Sequence, residues 1–255
     1  EVNVSDVETQ QELNDRVSAA SLIGTLQATY TNFHYLRDVW RRTTEKDALL
    51  GIGMTGIGSG RVQKLDLEEA AKMAVSTNEY YAAELGINKA ARITTVKPSG
   101  TTSCVLGTSS GIHAWHNDYY IRRIRVGKNE AIYTYLKINH PELIEDDFFK
   151  PDQQAVIAIP QQAPTEGILR HETSLELLER VKDIYNRWIV PAHNGGNNTH
   201  NVSCTVSVKE DEWDRVGKWM WENRDYYNGL SVLPYFGGSY KQAPFEDIDA
   251  TTFKG

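Results

Sequence analysis

The spacing of apolar positions predicts helices that alternate with short strands along the chain. A long first helix is predicted over residues 7–36, because Leu13, Val17, Ala20 and Ile23 recur at helical spacing. Further helices are predicted over residues 66–86, 130–138, 173–189 and 210–226. Apolar and β-branched runs predict strands over residues 49–56, 92–96, 120–126, 155–159, 202–208 and 230–234. This alternation is typical of βαβ units and predicts an α/β protein with a mostly parallel sheet, either a barrel or a doubly wound sheet.

Individual residues fix several of the predicted element ends. Asp66 is suited to cap the second helix, and Gly86 can take the left-handed conformation that ends it. Thr173 and Glu176 have the spacing of a capping box. Pro160 is expected to end the strand over residues 155–159, because proline cannot donate to a β ladder.

Composition excludes several classes of protein. In a chain of 255 residues, 40% are hydrophobic and 24% are charged, which is ordinary globular usage. The net charge of −7 argues against a nucleic-acid binder, since such affinity comes mostly from basic residues. No run of about 18 apolar residues is present, so we expect no membrane partner. The two cysteines, Cys104 and Cys204, form no CxxC motif, which excludes a thiolate zinc site and fits a reducing, cytoplasmic compartment.

A formal GxGxxG motif occurs at residues 51–56 and allows two interpretations. An NAD fingerprint requires a helix that starts on the third glycine and an acidic residue at a strand end about 20 residues further on. Here the glycines lie inside the apolar run, and Glu79, at that distance, falls within a predicted helix. We therefore favour a strand whose missing side chains let another backbone or a ligand approach closely, over a Rossmann-type dehydrogenase.

Two loops rich in small and hydroxyl residues follow the strand over residues 92–96. Residues 97–104 (KPSGTTSC) can present N–H groups and hydroxyls to a phosphate. Composition alone favours an ordinary hydroxyl-rich turn over such a site. No Gly-Lys-Ser/Thr triplet is present, so this is not a Walker A loop. Residues 107–116 contain His113 and His116, which make a weak metal site without a nearby carboxylate or thiolate. Hydrogen-bonded or surface histidines are the favoured interpretation.

Five segments in order resemble one known family. They are residues 50–56 (LGIGMTG), 97–103 (KPSGTTS), 107–113 (GTSSGIH), 201–206 (NVSCTV) and 240–246 (YKQAPFE). Their order is similar to the C-terminal half of class II, adenosylcobalamin-dependent ribonucleotide reductases. The resemblance is greatest to the monomeric ribonucleoside-triphosphate reductases of bacteria and phages.

The resemblance implies a fold and an activity. The family fold is a ten-stranded α/β barrel made of two half-barrels, so this chain is expected to form one domain over residues 1–255 that supplies the second half. The intact enzyme is expected to reduce ribonucleoside tri- or diphosphates to 2′-deoxyribonucleotides by thiyl-radical chemistry, with adenosylcobalamin as cofactor.

The resemblance also implies roles for particular residues. Substrate phosphates are expected to bind at the first loop, through Pro98, Ser99, Gly100, Thr101, Thr102 and Ser103. Cobalamin is expected to contact Ser110, Gly111 and His113 in the second loop.

The family's catalytic cysteines are not expected in this chain. The radical cysteine lies two residues before a glutamate, and neither Cys104 nor Cys204 has that context. The resemblance places these residues upstream, so the implied partners are an N-terminal half of the enzyme and a dithiol or thioredoxin-like reductant. A non-catalytic interaction subunit remains an alternative.

Overall fold

A computed structural model describes residues 1–236 and 240–254. The chain divides into two compact units. The first comprises Glu1–Ala114 and His171–Tyr235, and the second comprises Trp115–Arg170 and Phe236–Gly255. The sequence predicts one domain over residues 1–255 that forms the second half of a barrel. That stays a prediction.

The described strands and helices alternate through much of the chain. The strands are β1 (Val2–Asn3), β2 (Ile52–Thr55), β3 (Thr94–Thr95), β4 (Tyr119–Gly127), β5 (Ile144–Asp146), β6 (Gln154–Gln162), β7 (Thr205–Val208), β8 (Ser231–Pro234) and β9 (Phe245–Asp247). The helices are α1 (Gln10–Gln27), α2 (Asp38–Asp47), α3 (Leu67–Leu85), α4 (Gly100–Leu106), α5 (Ala131–Asn139), α6 (Ser174–Ile184), α7 (Trp213–Glu222) and α8 (Ala250–Lys254). One π-helical turn, Tyr185–Ile189, continues α6. Among the described residues, no helix is both long and apolar enough to cross a membrane.

The first unit is built on short parallel strands. β2 lies between β1 and β3, with Val2 opposite Met54 and Ile52 opposite Thr94. β7 pairs with β8 in a second parallel pair. Helices α1 and α3 pack against each other beside β2, and every residue of β2 is buried. The fully buried large side chains of this core include Leu13, Met54, Ile57, Leu67, Leu178 and Trp188.

The second unit contains an antiparallel sheet in the order β5-β6-β4-β9. The expectation of a mostly parallel sheet is therefore correct only for the first unit. Residues 120–126 and 155–159 do form strands, but they pair with each other in opposite directions. The alternation of predicted strands and helices does not reveal this. Apolar periodicity indicates which face of a strand is buried, but not whether the neighbouring strand runs parallel or antiparallel to it.

Among the predicted element ends that differ from the structure, two have a clear physical reason. The first helix ends at Gln27 instead of continuing to residue 36, and the residues that follow, Thr29 to Phe33, have low helix propensity. β6 passes through Pro160 and ends at Gln162. β5 pairs only with residues 155–157 of β6, so β6 has a free side at Pro160, where a missing N–H is tolerated.

The α/β class is confirmed, and the dehydrogenase alternative loses its structural basis. A short 3₁₀ turn, Ile57–Ser59, follows the third glycine of the GxGxxG motif, and the next α-helix begins only at Leu67. Glu79 lies within that helix. The ten-stranded barrel stays a prediction.

Candidate functional site

The predicted phosphate loop leaves the carboxyl end of β3 and turns directly into α4. Pro98, Gly100, Thr101 and Thr102 are exposed. Ser99 and Ser103 are buried, at 6% and 5% exposure. Gly100 has a φ of +33° and nothing within 4 Å of the position that a Cβ would occupy. The loop therefore presents four of its six candidate residues to solvent.

Hydrogen bonds divide the loop's polar groups into two sets. The Ser103 hydroxyl donates to the Gly100 carbonyl at 2.7 Å, and the Ser99 carbonyl accepts from the N–H groups of Thr102 and Ser103. By contrast, the N–H groups of Gly100 and Thr101 make no hydrogen bond to any described residue, and neither do the hydroxyls of Thr101 and Thr102. These four groups are the donors that the loop offers to a ligand.

Thr55, the last residue of β2, lies directly beneath this loop and is fully buried. Its hydroxyl is 2.5 Å from the Ser99 hydroxyl. It is also 3.1 Å from both the Ser109 carbonyl and the Gly111 nitrogen. The sequence analysis considered only the glycines of the GxGxxG motif and did not identify Thr55 as a site residue. Thr55 could have been found as the single hydroxyl residue at the end of a buried apolar strand.

Of the three glycines in that motif, only Gly56 is closely approached, and Gly58, two residues beyond the motif, is closely approached as well. A Cβ on Gly56, whose φ is +85°, would lie 2.4 Å from Thr108 Oγ1. A Cβ on Gly58 would lie 2.5 Å from the His113 carbonyl oxygen. The segment that approaches is therefore the second small-residue loop of this same chain.

Ser110, Gly111 and His113, the predicted cobalamin contacts, lie together in the second loop and are bonded within the chain. Ser110 Oγ accepts from the Ser99 N–H at 2.9 Å. Gly111 is buried with a φ of +56°, and a Cβ there would lie 2.6 Å from the Lys97 carbonyl oxygen. These contacts join the second loop to the first.

Both ring nitrogens of His113 are engaged. Nε2 accepts from the Thr205 N–H at 3.0 Å, so the ring proton is on Nδ1, which donates to the Ser110 carbonyl at 3.0 Å. Burial lowers the pKa of the imidazole below its ordinary value, and the nearby Arg180 guanidinium also lowers it. His113 is therefore a neutral residue that joins the second loop to β7.

We expect the neutral state of His113 to give the protein an acid-sensitive contribution to stability. Because the folded pKa is lowered, the unfolded state binds a proton more readily, so stability falls as the pH drops through and below about 6.5, the ordinary histidine value. Thermal unfolding of the wild type and His113→Gln at about pH 7.5 and about pH 5.5 measures this contribution.

The variant should lose less stability than the wild type between the two pH values, although it should be less stable at both. The pKa of His200 is also lowered by burial, but that contribution is common to both proteins and cancels. Equal acid losses in the two proteins would contradict the assignment of a neutral His113.

The two histidines that the sequence offered as weak metal ligands, His113 and His116, have partners within the chain. His116 lies in the second unit, where its Nε2 is 2.9 Å from an oxygen of Asp247. Among the residues that the structure describes, no group of three or more His, Cys, Asp or Glu side chains is placed to hold a metal ion. Cys104 is exposed, and Cys204 is buried, which raises the pKa of its thiol to about 12.

Comparison with known proteins gives a consistent set of relatives, although no protein-family profile matches the chain. An adenosylcobalamin-dependent ribonucleoside-triphosphate reductase from Lactobacillus acidophilus is 26% identical over 252 residues, covering 87% of this chain and 33% of the relative. The reductase of the same description from Lactobacillus helveticus is 25% identical and covers 96% of this chain and 36% of its own length. The chain is similar to these reductases over most of its own length.

A solved structure has the same fold. The crystal structure of a B12-dependent (class II) ribonucleotide reductase superposes with a TM-score of 0.75 at 24% identity, over 92% of this chain and 37% of that one. The chain thus spans about a third of the length of the curated relatives and of the structural neighbour. It matches the C-terminal part of the relatives.

Proposed function

We propose that this chain is the C-terminal part of an adenosylcobalamin-dependent ribonucleotide reductase, which reduces ribonucleoside tri- or diphosphates to 2′-deoxyribonucleotides. The observation that carries the proposal is the similarity itself, which extends over 87% of the chain to a reductase of that description. The loop chemistry supports it independently, since a set of free donors lies at the carboxyl end of a parallel strand, where α/β proteins bind ligands.

In this proposal the first loop binds the substrate phosphates. The N–H groups of Gly100 and Thr101 and the hydroxyls of Thr101 and Thr102 donate to phosphate oxygens. Ser99 and Ser103 are buried, and their hydroxyls bond within the chain, so they support the loop. Pro98 has no N–H and limits the backbone before the turn. Two of the six predicted residues thus support the binding groups instead of supplying a hydroxyl.

Adenosylcobalamin, when bound, supplies the radical-initiating chemistry that the reaction requires. Both ring nitrogens of His113 are engaged within the chain, whereas the Ser110 hydroxyl, which accepts from the Ser99 N–H, keeps its own proton to donate. Gly111 is buried against Lys97. We therefore derive no step through these three residues, whose cobalamin contact stays a prediction, and we assign them the role of fixing the second loop.

The remaining machinery belongs to the rest of the enzyme in this proposal. We place the thiyl-radical cysteine and its glutamate in the N-terminal part, and we assign the electrons to a dithiol or thioredoxin-like reductant. No residue of this chain is proposed as catalytic. The contribution of the chain is to bind the phosphates and to complete the barrel.

The two cysteines give a direct check on this division. Cys104→Ser and Cys204→Ser should leave turnover largely intact in the reconstituted enzyme. The Cys204 thiol, with a pKa of about 12, is protonated at neutral pH and is poorly suited to redox exchange. Stability should fall slightly for Cys204→Ser because a buried thiol is replaced by a hydroxyl. Loss of turnover with stability and nucleotide binding retained would show that a catalytic cysteine lies in this chain.

The experiment that tests the function is reconstitution. The chain is mixed with a companion polypeptide that corresponds to the other two thirds, approximately, of a relative. Adenosylcobalamin, a dithiol and a ribonucleoside triphosphate are then added. We expect deoxyribonucleotide to form, and to form only when adenosylcobalamin is present. Full activity of the companion polypeptide without this chain would instead support a non-catalytic interaction subunit.

A further inference from the structure

Thr55 occupies a position where two loops of the proposed site meet. Its hydroxyl contacts Ser99, at the start of the phosphate loop, and both Ser109 and Gly111 in the second loop. Thr55 is 0% exposed, so water cannot replace any of these three partners.

The hydrogen-bonding capacity of Thr55 is filled completely. The Gly111 N–H can only donate and the Ser109 carbonyl can only accept, so the Thr55 hydroxyl accepts from Gly111 and donates to Ser109. The Ser99 hydroxyl must then donate to the second lone pair of Thr55. One donor and two acceptor positions are all that a hydroxyl possesses, and all three are used.

Neighbouring contacts hold the same two loops against the end of β2. The N–H groups of Gly56 and Ile57 donate to the carbonyls of Ser109 and Gly111, at 3.0 and 3.1 Å. Ser99 also reaches the second loop directly, through its N–H to Ser110 Oγ. The Thr55 side chain contacts both loops from the end of β2.

A threonine suits this position better than an isosteric valine or a flexible serine. Valine would leave the Gly111 N–H and the Ser99 hydroxyl buried without a partner, and an unsatisfied buried donor costs more than a hydrogen bond normally contributes. The β-branch of threonine restricts χ1 and so keeps the hydroxyl directed at the loops.

We propose that Thr55 is a positioning residue that fixes the phosphate loop relative to the second loop, and thereby sets the affinity for the nucleotide phosphates. The inference rests on the proposed function, because it takes the first loop as the phosphate site. Thr55 itself touches no substrate; it acts through Ser99 and Gly111.

The test compares Thr55→Val with Thr55→Ser in the reconstituted enzyme. The dissociation constants of a ribonucleoside triphosphate and of the matching nucleoside are measured for each variant. Thr55→Val should weaken triphosphate binding about tenfold and nucleoside binding less than about twofold. Thr55→Ser, which retains the hydroxyl, should remain within about threefold of the wild type for both ligands.

Thr25→Val is the matched control. Thr25 is also 0% exposed, and its hydroxyl donates to the Ser21 carbonyl and accepts from the Asn78 amide, away from both loops. It should lose stability without changing the ratio of the two affinities. If Thr55→Val does not fold, Thr55→Cys, with a weak donor at the same position, should give a loss between those of serine and valine.

The possible results distinguish a failure of the positioning role of Thr55 from a failure of the proposed phosphate site. An unchanged triphosphate affinity in Thr55→Val, or an equal loss for nucleoside and triphosphate, overturns the positioning role while leaving the phosphate site intact. If the wild type binds nucleoside and triphosphate with equal affinity, the chain has no phosphate site. That result contradicts both the proposed function of the loop and the role of Thr55.

Discussion

Gly100→Val should weaken the binding of a ribonucleoside triphosphate to the reconstituted enzyme by about tenfold to a hundredfold. Gly100 has a φ of +33°, a left-handed conformation that a β-branched residue avoids. The substitution should therefore turn the N–H group of Gly100 away from the proposed phosphate ligand. One hydrogen bond to a charged phosphate contributes roughly 1.5–3 kcal/mol, and about 1.4 kcal/mol corresponds to tenfold in affinity.

The chain offers a close control in Gly86→Val. Gly86 has a φ of +67°, ends α3 and, like Gly100, has nothing within 4 Å of its absent Cβ. Its substitution carries a similar backbone cost but should leave nucleotide affinity unchanged. Binding of the free nucleoside should change little in either variant. Equal losses for nucleoside and triphosphate in Gly100→Val would make the loop structural, and the phosphate assignment would be withdrawn.

Trp188→Ala should lower the free energy of unfolding by about 3–5 kcal/mol, the usual cost of removing a large buried aromatic side chain. Trp188 is fully buried in the π-helical turn after α6. Its indole N–H donates to the Thr95 carbonyl at 3.1 Å, and its own carbonyl accepts from the Thr94 hydroxyl. The substitution thus leaves a cavity beside β3, and it removes a hydrogen-bond partner of the strand that precedes the proposed phosphate loop.

Trp221→Ala provides the comparison for this prediction. Trp221 is 72% exposed on α7, and its ring contacts the Arg224 guanidinium, a surface interaction worth about 0.5–1 kcal/mol. Denaturant unfolding of both variants measures the difference. A loss in Trp188→Ala no larger than that in Trp221→Ala would mean that the core around β3 is not packed as described.

The elements that the sequence predicted well are those with strong local signals. Asp66 caps α3 by accepting from the Glu69 N–H, and Gly86 ends that helix in the left-handed conformation. The capping box of Thr173 and Glu176 is present with both of its hydrogen bonds. These signals involve residues within a few positions of one another, so they need no knowledge of the fold.

Other elements had no local signal. Helix α2 has no buried residue, so no apolar stripe marked it in the sequence. The pairing of β4 with β6 joins residues that are far apart in the sequence, from Tyr119 with Gln162 to Gly127 with Gln154. The direction and register of such a pair are set by packing. Pro160 is tolerated only because β5 does not extend to it, a fact about a neighbouring strand.

For the candidate site, composition and order located the two loops but did not sort their residues. Ser99, Ser103, Thr101 and Thr102 carry the same chemical group, and only burial shows that the first two bond within the chain while the last two are exposed. The sequence also did not show that both ring nitrogens of His113, a predicted cobalamin contact, bond within the chain.

The sequence by itself determined the α/β class, most helix and strand positions, the two loops and the family that the chain resembles, because these follow from local patterns and motif order. Only the tertiary structure shows which polar groups of the loops lack a partner among the described residues, and that the Thr55 hydroxyl contacts both loops. Thr55 and Gly111 are 56 positions apart, and a hydrogen bond between them exists only after β2 is buried against the loops that follow β3. Long-range contacts of this kind are set by packing of the whole chain, which no local pattern records.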